Sequence, residues 1–260
     1  MISVVKIGGA VVENEEALQA FCRDFAALEG PKLLVHGGGV MASRLQEALG
    51  RKPLKVEGRR VTDADTLKTV TMVYSGWCNK HVCALLQACG CNAIGLSGCD
   101  GNAIRASRRA PRTLEDGITV VDYGFVGDVT PESVNIPFVK TLLDAGLTPV
   151  FCAINHDGQG NLLNTNADTI ASSLAAALKA RLICCFELDG VLSDRNDSSS
   201  LIRNLTPDGF SALKSSGAVS EGMIPKIENC LKALRDGAAQ AVIKNSNALG
   251  DAGAGTFISL

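Results

Sequence analysis

Ile2-Ser3-Val4-Val5-Lys6-Ile7-Gly8-Gly9 and Lys32-Leu33-Leu34-Val35-His36-Gly37-Gly38-Gly39 are two copies of one pattern, a short apolar run that ends in glycine. A helical pattern follows each copy. After the first it is Leu18, Phe21, Cys22, Phe25 and Leu28 behind an Asn14 N-cap; after the second it is Leu45 and Leu49. Each copy therefore reads as strand, tight turn and helix N-terminus. Glycine lets backbone N–H groups turn inward and approach a ligand closely. A helix start adds unpaired N–H groups and a partial positive charge. Two such turns make a site for an anion, either phosphate or carboxylate.

The rest of the chain repeats the alternation. A β-hairpin is predicted from Leu54 to Val61, with its turn at Glu57-Gly58. Thr62 is expected to cap a long helix running to Cys89, with Asp65 three positions on as a capping box. Further strands are predicted at 93–96, 103–107, 118–121, 123–129, 148–153, 181–187, 240–244 and 255–260, with the three at 103–129 forming an antiparallel patch. Further helices are predicted at 133–145, 166–180, 206–215 and 223–236, a loop at 155–163, and a disordered polar stretch at 193–200. Apolar strands alternating with helices imply an α/β fold with a mainly parallel sheet and right-handed crossovers. Ligands then bind beyond the C-terminal ends of the strands, where both glycine turns lie. A length of 260 residues suits one large domain or two lobes sharing a sheet.

Composition excludes several classes. The net charge is −2 and charges are interspersed, so neither a nucleic-acid nor a membrane partner is expected. No apolar run is long enough to span a bilayer, and Met1 leads straight into a strand, so a cytoplasmic protein without a leader is expected. Most of the ten cysteines sit in apolar runs and read as buried, reduced thiols; Cys89 and Cys91 form a lone C-x-C, which is not a metal site.

A few residues stand out against this background. Lys6 lies in an otherwise apolar strand, and either snorkels to the surface or places its ammonium beside the glycines. Lys226 follows Pro225 in the first turn of a helix, where it opposes the helix dipole. It is either a tolerated surface charge or a partner for a polyanion. Asp168, in Asn164-Thr165-Asn166-Ala167-Asp168, either satisfies a helix dipole or holds two lysines near a phosphate. Asn164 is either a turn residue or a ligand donor. His36 reads as an orienting or core histidine rather than a base, and His81 and His156 have no acid or nucleophile nearby in sequence.

Motif tests narrow the class. A Walker A loop is absent: Gly217 and Gly222 have the spacing, but Met223 stands where lysine is required. Gly37-x-Gly39-x-x-Ala42 fits the dinucleotide pattern, with Glu57 at roughly the right distance. A nicotinamide-dependent oxidoreductase is therefore a rival reading. It is weakened by Glu57 lying in a hairpin turn, and it gives Lys6, Asp168 and Lys226 no task. A non-catalytic amino-acid or nucleotide binder is a third class, which would not need the two lysines.

Five motifs in order, Lys6-Ile7-Gly8-Gly9, His36-Gly37-Gly38-Gly39, Gly58-Arg59-Arg60-Val61-Thr62, Asn164-Thr165-Asn166-Ala167-Asp168 and Gly222-Met223-Ile224-Pro225-Lys226, resemble the N-acetylglutamate kinase family, a branch of the amino-acid kinases. The resemblance covers essentially the whole chain. It implies an open three-layer α/β/α sandwich, with residues 1–165 binding an acylated glutamate and residues 166–260 binding ATP. It implies that Lys6 and Lys226 stabilise the transferring phosphoryl group and that Asp168 positions both. Gly8 and Gly38 would donate N–H groups to it, beside Gly9, and Gly38, Gly39, Arg60 and Asn164 would hold the amino-acid substrate. The nucleotide would lie against Glu187, Leu188, Asp189, Gly190, Val191 and Leu192, and against Ala218, Val219 and Ser220. Glu187 and Ser220-Glu221 depart from the family pattern there. Magnesium is expected on the ATP phosphates, with no dedicated metal site.

The activity so implied is ATP-dependent phosphorylation of the γ-carboxylate of N-acetyl-L-glutamate, a step of arginine biosynthesis. Another small acid, or N-succinylglutamate, is the alternative within the family. Arginine-inhibited relatives carry an extra N-terminal helix that links dimers into a hexamer. With strand one beginning at Ile2, a homodimer without arginine inhibition is expected, its interface on helix 63–89. Arg59 bears on the acyl group. Pleat alternation sends it to solvent, whereas a twisted hairpin would bring it into the pocket with Arg60, where it favours a second, acyl-side carboxylate.

Overall fold

The computed structural model describes residues 1–114, 116–194, 197–219 and 222–260. Strands β1 (Ser3–Ile7) and β2 (Lys32–His36) are buried along their whole length and pair in parallel, Ser3 beside Lys32 and Ile7 beside His36. That register brings both glycine turns off the sheet at the same level, side by side. Continuous apolar runs suit such central parallel strands, which are covered on both faces.

The sheet is completed by β3 (Ala93–Leu96), β4 (Thr148–Phe151), β5 (Arg181–Phe186), β6 (Asn204–Leu205), β7 (Gln240–Asn245) and β8 (Thr256–Ile258). Its eight strands run in the order β6-β8-β7-β5-β1-β2-β4-β3, and every neighbouring pair is parallel except β7 with β8. The four strands from the first 165 residues form one half and the later four form the other.

The helices are α1 (Gly9–Glu13), α2 (Glu15–Ala27), α3 (Gly39–Ala48), α4 (Ala64–Thr71), α5 (Asn79–Ala88), α6 (Ile136–Asp144), α7 (Ala167–Ala177), α8 (Pro207–Ser216) and α9 (Ile224–Arg235). Asn14 caps α2 as its sequence position predicts, its side chain accepting the Ala17 N–H at 3.0 Å. Side chains alternate along each strand. Lys6 and Cys184 therefore meet α7 and α9 on one face, through Asp168 and Cys230, while His36 meets α5 on the other through Asn79. The result is the expected open α/β/α sandwich. No helix among the described residues is long and apolar enough to cross a membrane.

Several local expectations are corrected. Asp63, not Thr62, caps α4, accepting the Thr66 N–H at 2.7 Å. Thr62 is drawn away by a long-range ladder, donating its N–H to Tyr123 and accepting from Phe125. The long helix is not uniformly α: Met72–Cys78 is π-helical. The strand predicted at 103–107 is reduced to Ser107–Arg108, paired with Gly127–Asp128, beside a second hairpin of Arg112–Thr113 with Val120–Val121. Residues 155–163 are not a loop but most of a hairpin, Ile154–His156 with Leu162–Asn164. In the polar stretch at 193–200, residues 195 and 196 lie outside the described residues, while Asp197 caps a short turn by accepting the Ser199 N–H at 2.8 Å.

Candidate active site

A cavity of about 340 Å³ opens at the C-terminal ends of β1 and β2. It is lined by Lys6, Gly9, Gly37–Gly39, Arg60, Asn164 and Asp168, residues that lie as much as 162 positions apart. The parallel register of β1 and β2 accounts for the two glycine turns, and α7 brings Asp168 across β1.

Lys6 does not snorkel. It is 7% exposed, and its Nζ lies 2.7 Å from Asp168 Oδ1. Burial alone would lower the Lys6 pKa; the adjacent Asp168 carboxylate outweighs this and holds it above the ordinary value. Burial likewise pushes Asp168 up, but the charges of Lys6 and, less strongly, Lys226 bring it below the usual carboxylate range. Both partners are thus ionised. The ammonium thus satisfies Oδ1, whereas the Thr165 hydroxyl in the same cavity wall is buried without a hydrogen-bond partner. Orphaned polar atoms at a cavity wall are what an incoming ligand can satisfy.

The second glycine turn is packed against Tyr74. A Cβ at position 38 would sit 2.8 Å from Tyr74 Cδ1, so only glycine permits this approach. Tyr74 comes from the π-helical stretch, a geometry that often marks functional sites. His36 stiffens the turn from behind. Its Nε2 lies 3.0 Å from the Asn79 amide nitrogen, which can only donate, so the ring proton is on Nδ1 and is given to Gly37 O at 2.7 Å. Burial pushes the His36 pKa down to about 4, which leaves a neutral, wholly enclosed ring that supports the turn and is no base.

Arg60 is buried and donates to Gly39 O at 2.7 Å, to Ser43 Oγ at 2.8 Å and to Gln46 Oε1. Asn164 donates from Nδ2 to Thr62 Oγ1 at 3.1 Å. Arg59, which pleat alternation alone would send to solvent, lines the same cavity as Arg60. The hairpin strands are two residues long, and short two-stranded ribbons twist strongly. Glu57 and Gly58 form the expected turn with positive φ, and the Glu57 carboxylate pairs with Arg112. It is not free to hold a ribose.

The opposite end is arranged differently. Lys226 is in the first turn of α9 as expected, half-buried, with Nζ donating to Gly222 O at 2.9 Å and lying 5.7 Å from the Phe186 ring centroid. It does not line the cavity, although Asp168 feels its charge. Glu187–Leu192 leave the end of β5: Glu187, Leu188 and Asp189 are exposed, Gly190 and Val191 buried. Asn245 holds this segment through Glu187 O and Asp189 Oδ1, both at 3.0 Å. Ala218 and Val219 lie just before α9, and Ser220 lies outside the described residues. One expectation is corrected outright: the Gly8 N–H does not face the cavity but donates to Cys185 O at 3.1 Å, extending the sheet ladder. Gly9, at the start of α1, does line it.

Among the lining residues that sequence reasoning missed, the polar ones are Lys55, Tyr74, Arg109 and Thr165. Thr165 sat inside a motif already singled out. Arg109 carries no local signal; it is held by Asp128, with Nε 3.0 Å from Oδ2, and packs over Tyr123, whose buried hydroxyl has no hydrogen-bond partner. Among the described residues no cluster of three or more His, Cys, Asp or Glu is placed to hold a metal.

Known proteins resemble the chain throughout. Residues 1–245 match the amino acid kinase family. An acetylglutamate kinase from Phocaeicola vulgatus is 48% identical over 99% of this chain and 98% of its own length. Another, from Cytophaga hutchinsonii, is 47% identical over 95% and 92%. The solved structure of smu.665 from Streptococcus mutans UA159 superposes with a TM-score of 0.76 at 26% identity, covering 99% of this chain and 98% of that one.

Proposed function

The chain belongs to the amino acid kinase family, and on that premise we propose that it transfers the γ-phosphoryl group of ATP to the γ-carboxylate of N-acetyl-L-glutamate. The product is an acyl phosphate, formed in a step of arginine biosynthesis. The observation that carries this reading is the Lys6–Asp168 ion pair in a cavity that also presents Arg60, Asn164 and both glycine turns.

The chemistry needs no base. A carboxylate attacking phosphorus has no proton to lose at neutral pH, so catalysis rests on positioning and charge stabilisation. Lys6 meets the charge that develops on the transferring group, and Asp168 keeps that ammonium in place and protonated. Lys226 supplies the second positive charge from the nucleotide side. The first-turn N–H groups of α1 and α3 have no helical partner and suit phosphate oxygens. Arg60 and Asn164, with Gly38 and Gly39, hold the acylated amino acid. Glu187–Leu192, Ala218, Val219 and Ser220 hold the nucleotide. Residues 1–165 make the acceptor half and 166–260 the nucleotide half. Magnesium, if carried on the ATP phosphates, would supply screening of their charge. The unpartnered first-turn N–H groups suit the phosphates of a magnesium–nucleotide, and no cluster of His, Cys, Asp or Glu among the described residues is placed for a resident ion.

A coupled assay of ADP release with a panel of acids tests this. Turnover is expected with N-acetyl-L-glutamate and not with carbamate, acetate or free glutamate. Turnover of none of them, or binding of NAD(H), contradicts it. A second reading rests on Arg59. It shares the cavity with Arg60 and Arg109, and the acyl end is crowded with guanidinium charge that an N-acetyl group does not need. N-succinyl-L-glutamate would place a carboxylate there. Higher kcat/KM for the succinyl compound, abolished in Arg59→Ala, supports it; preference for the acetyl compound, unchanged in the variant, removes it.

The working form is a homodimer in the cytoplasm. The α4-to-α5 rod exposes Met72 at 56% and Trp77 at 61%, with the Trp77 ring tilted against His81, and a second copy is the covering partner. Light scattering at twice the chain mass is expected, and a monomer at assay concentration contradicts it.

A further inference from the structure

Position 46 lies on the core face of α3, where Ala42 is the other buried residue and an aliphatic side chain is the ordinary choice. It holds glutamine, 2% exposed. A buried amide is costly unless both ends are hydrogen-bonded. Here both are, and the arrangement allows only one orientation. Arg60 can only donate, so the amide oxygen must face it, and the amide nitrogen then donates to Thr66 Oγ1 at 3.0 Å. Thr66 is itself fixed in the first turn of α4, its N–H given to Asp63. The amide thus ties the guanidinium to the capped start of α4.

An arginine carries five N–H donors. Three of those on Arg60 are taken, one by Gln46 Oε1 from Nη1 and two from Nη2 by Gly39 O and Ser43 Oγ. One Nη1–H and the Nε–H remain, on different edges of the guanidinium, and the Tyr74 hydroxyl also lies beside the group. The three protein bonds leave the guanidinium plane no freedom to rotate, so both remaining donors have fixed directions. The Gly39 contact also locks the plane to the glycine turn beside it. We propose that Gln46 is a positioning residue for acylglutamate binding: it fixes the Arg60 guanidinium so that a remaining donor meets one oxygen of a substrate carboxylate. This rests on the reading that Arg60 takes that carboxylate. Gln46 is absent from the cavity lining and acts only through Arg60.

The effect belongs to binding of one substrate. Gln46→Met keeps the side-chain length while removing both hydrogen bonds. It is expected to raise KM for N-acetyl-L-glutamate about tenfold, with kcat and KM for ATP within about twofold of wild type. Thr66→Val removes only the far bond and is expected to raise the same KM about threefold. In an Arg60→Lys background, Gln46→Met is expected to add nothing, because the group it orients is gone. An unchanged KM in Gln46→Met, checked by its melting curve to be folded, overturns the proposal. So does an equal KM increase in both backgrounds, or a matching rise in KM for ATP, which would mark a merely structural role. If Gln46→Met does not fold, Thr66→Val alone and in the Arg60→Lys background decides the matter by the same criteria. If Arg60→Lys itself leaves KM for the acid unchanged, the underlying assignment of Arg60 fails instead, and the two failures are distinguishable.

Discussion

On the proposed function, the acceptor and nucleotide ends of this site are built on opposite plans. At the end that the proposed function gives to the acceptor, three charged groups are each held by other protein groups: Lys6 by Asp168, Arg60 by Gly39, Ser43 and Gln46, Arg109 by Asp128. All of them line one cavity or stand directly behind it. At the nucleotide end Lys226 rests on a single carbonyl, Gly222 O, outside that cavity, and Glu187–Asp189 are exposed. The difference follows from position in the fold. Lys6 is in the central strand, where an unpaired charge is untenable, whereas Lys226 is at a helix start on the rim, where solvent tolerates it. On that assignment the acceptor end is formed by folding, and the nucleotide end would be completed by the nucleotide's own charge.

The two lysines are the first place to break this comparison. Asp168→Ala strands the Lys6 ammonium in the core. It is expected to lower kcat about a thousandfold and to cost about 3 kcal/mol of stability in urea melts. Lys226→Ala is expected to lower kcat by about 10²–10³ with KM values nearly unchanged, and to move Tm by less than about 2 °C. A Lys226→Ala protein as destabilised as Asp168→Ala would erase the distinction.

The His36 support can be titrated. Its pKa falls from 6.5 to about 4 on folding, so between those values the unfolded chain binds a proton that the native protein refuses. Its contribution is complete above pH 6.5 and is lost as pH falls towards 4, about 3 kcal/mol in all. Urea midpoints measured from pH 7.5 to 4.5 should drop, and His36→Gln should flatten the slope. A slope identical in the two proteins would remove His36 from the acceptor scaffold. Smaller again is Gly38→Ala, whose new methyl meets Tyr74 at 2.8 Å. About 1–3 kcal/mol of destabilisation is expected, with a raised KM for the acid. A neutral result would mean that Tyr74 yields, and that the turn is softer than its packing implies.

What was legible in the chain divides along the same line. The two glycine turns, the Asn14 cap and the Glu57-Gly58 hairpin turn are local, because each depends on residues within a few positions of one another. Asp168 and Lys6 were legible as residues with both an ordinary and a functional reading; the pairing across 162 positions that decides between them needed the parallel sheet. Thr62 was misread because a long-range partner outbid a local one: Tyr123 and Phe125 claim its backbone, and Asp63 takes over the cap. Gln46, Tyr74 and Arg109 left no local trace. Gln46 sits at a core position where polarity is the only anomaly, Tyr74 depends on a π-helical stretch, and Arg109 arrives on a distant hairpin. The Gly8 N–H was assigned to the ligand by motif, yet the sheet ladder reaches one residue further than the apolar run suggests.

Binding of N-acetyl-L-glutamate in the absence of nucleotide, measured by titration calorimetry, tests the central claim most directly. If the acceptor end is formed by folding alone, wild type and Lys226→Ala should bind with Kd values within about twofold, while Arg60→Ala should bind at least about tenfold more weakly. Failure of wild type to bind the acid without nucleotide, or a loss in Lys226→Ala equal to that in Arg60→Ala, would contradict it.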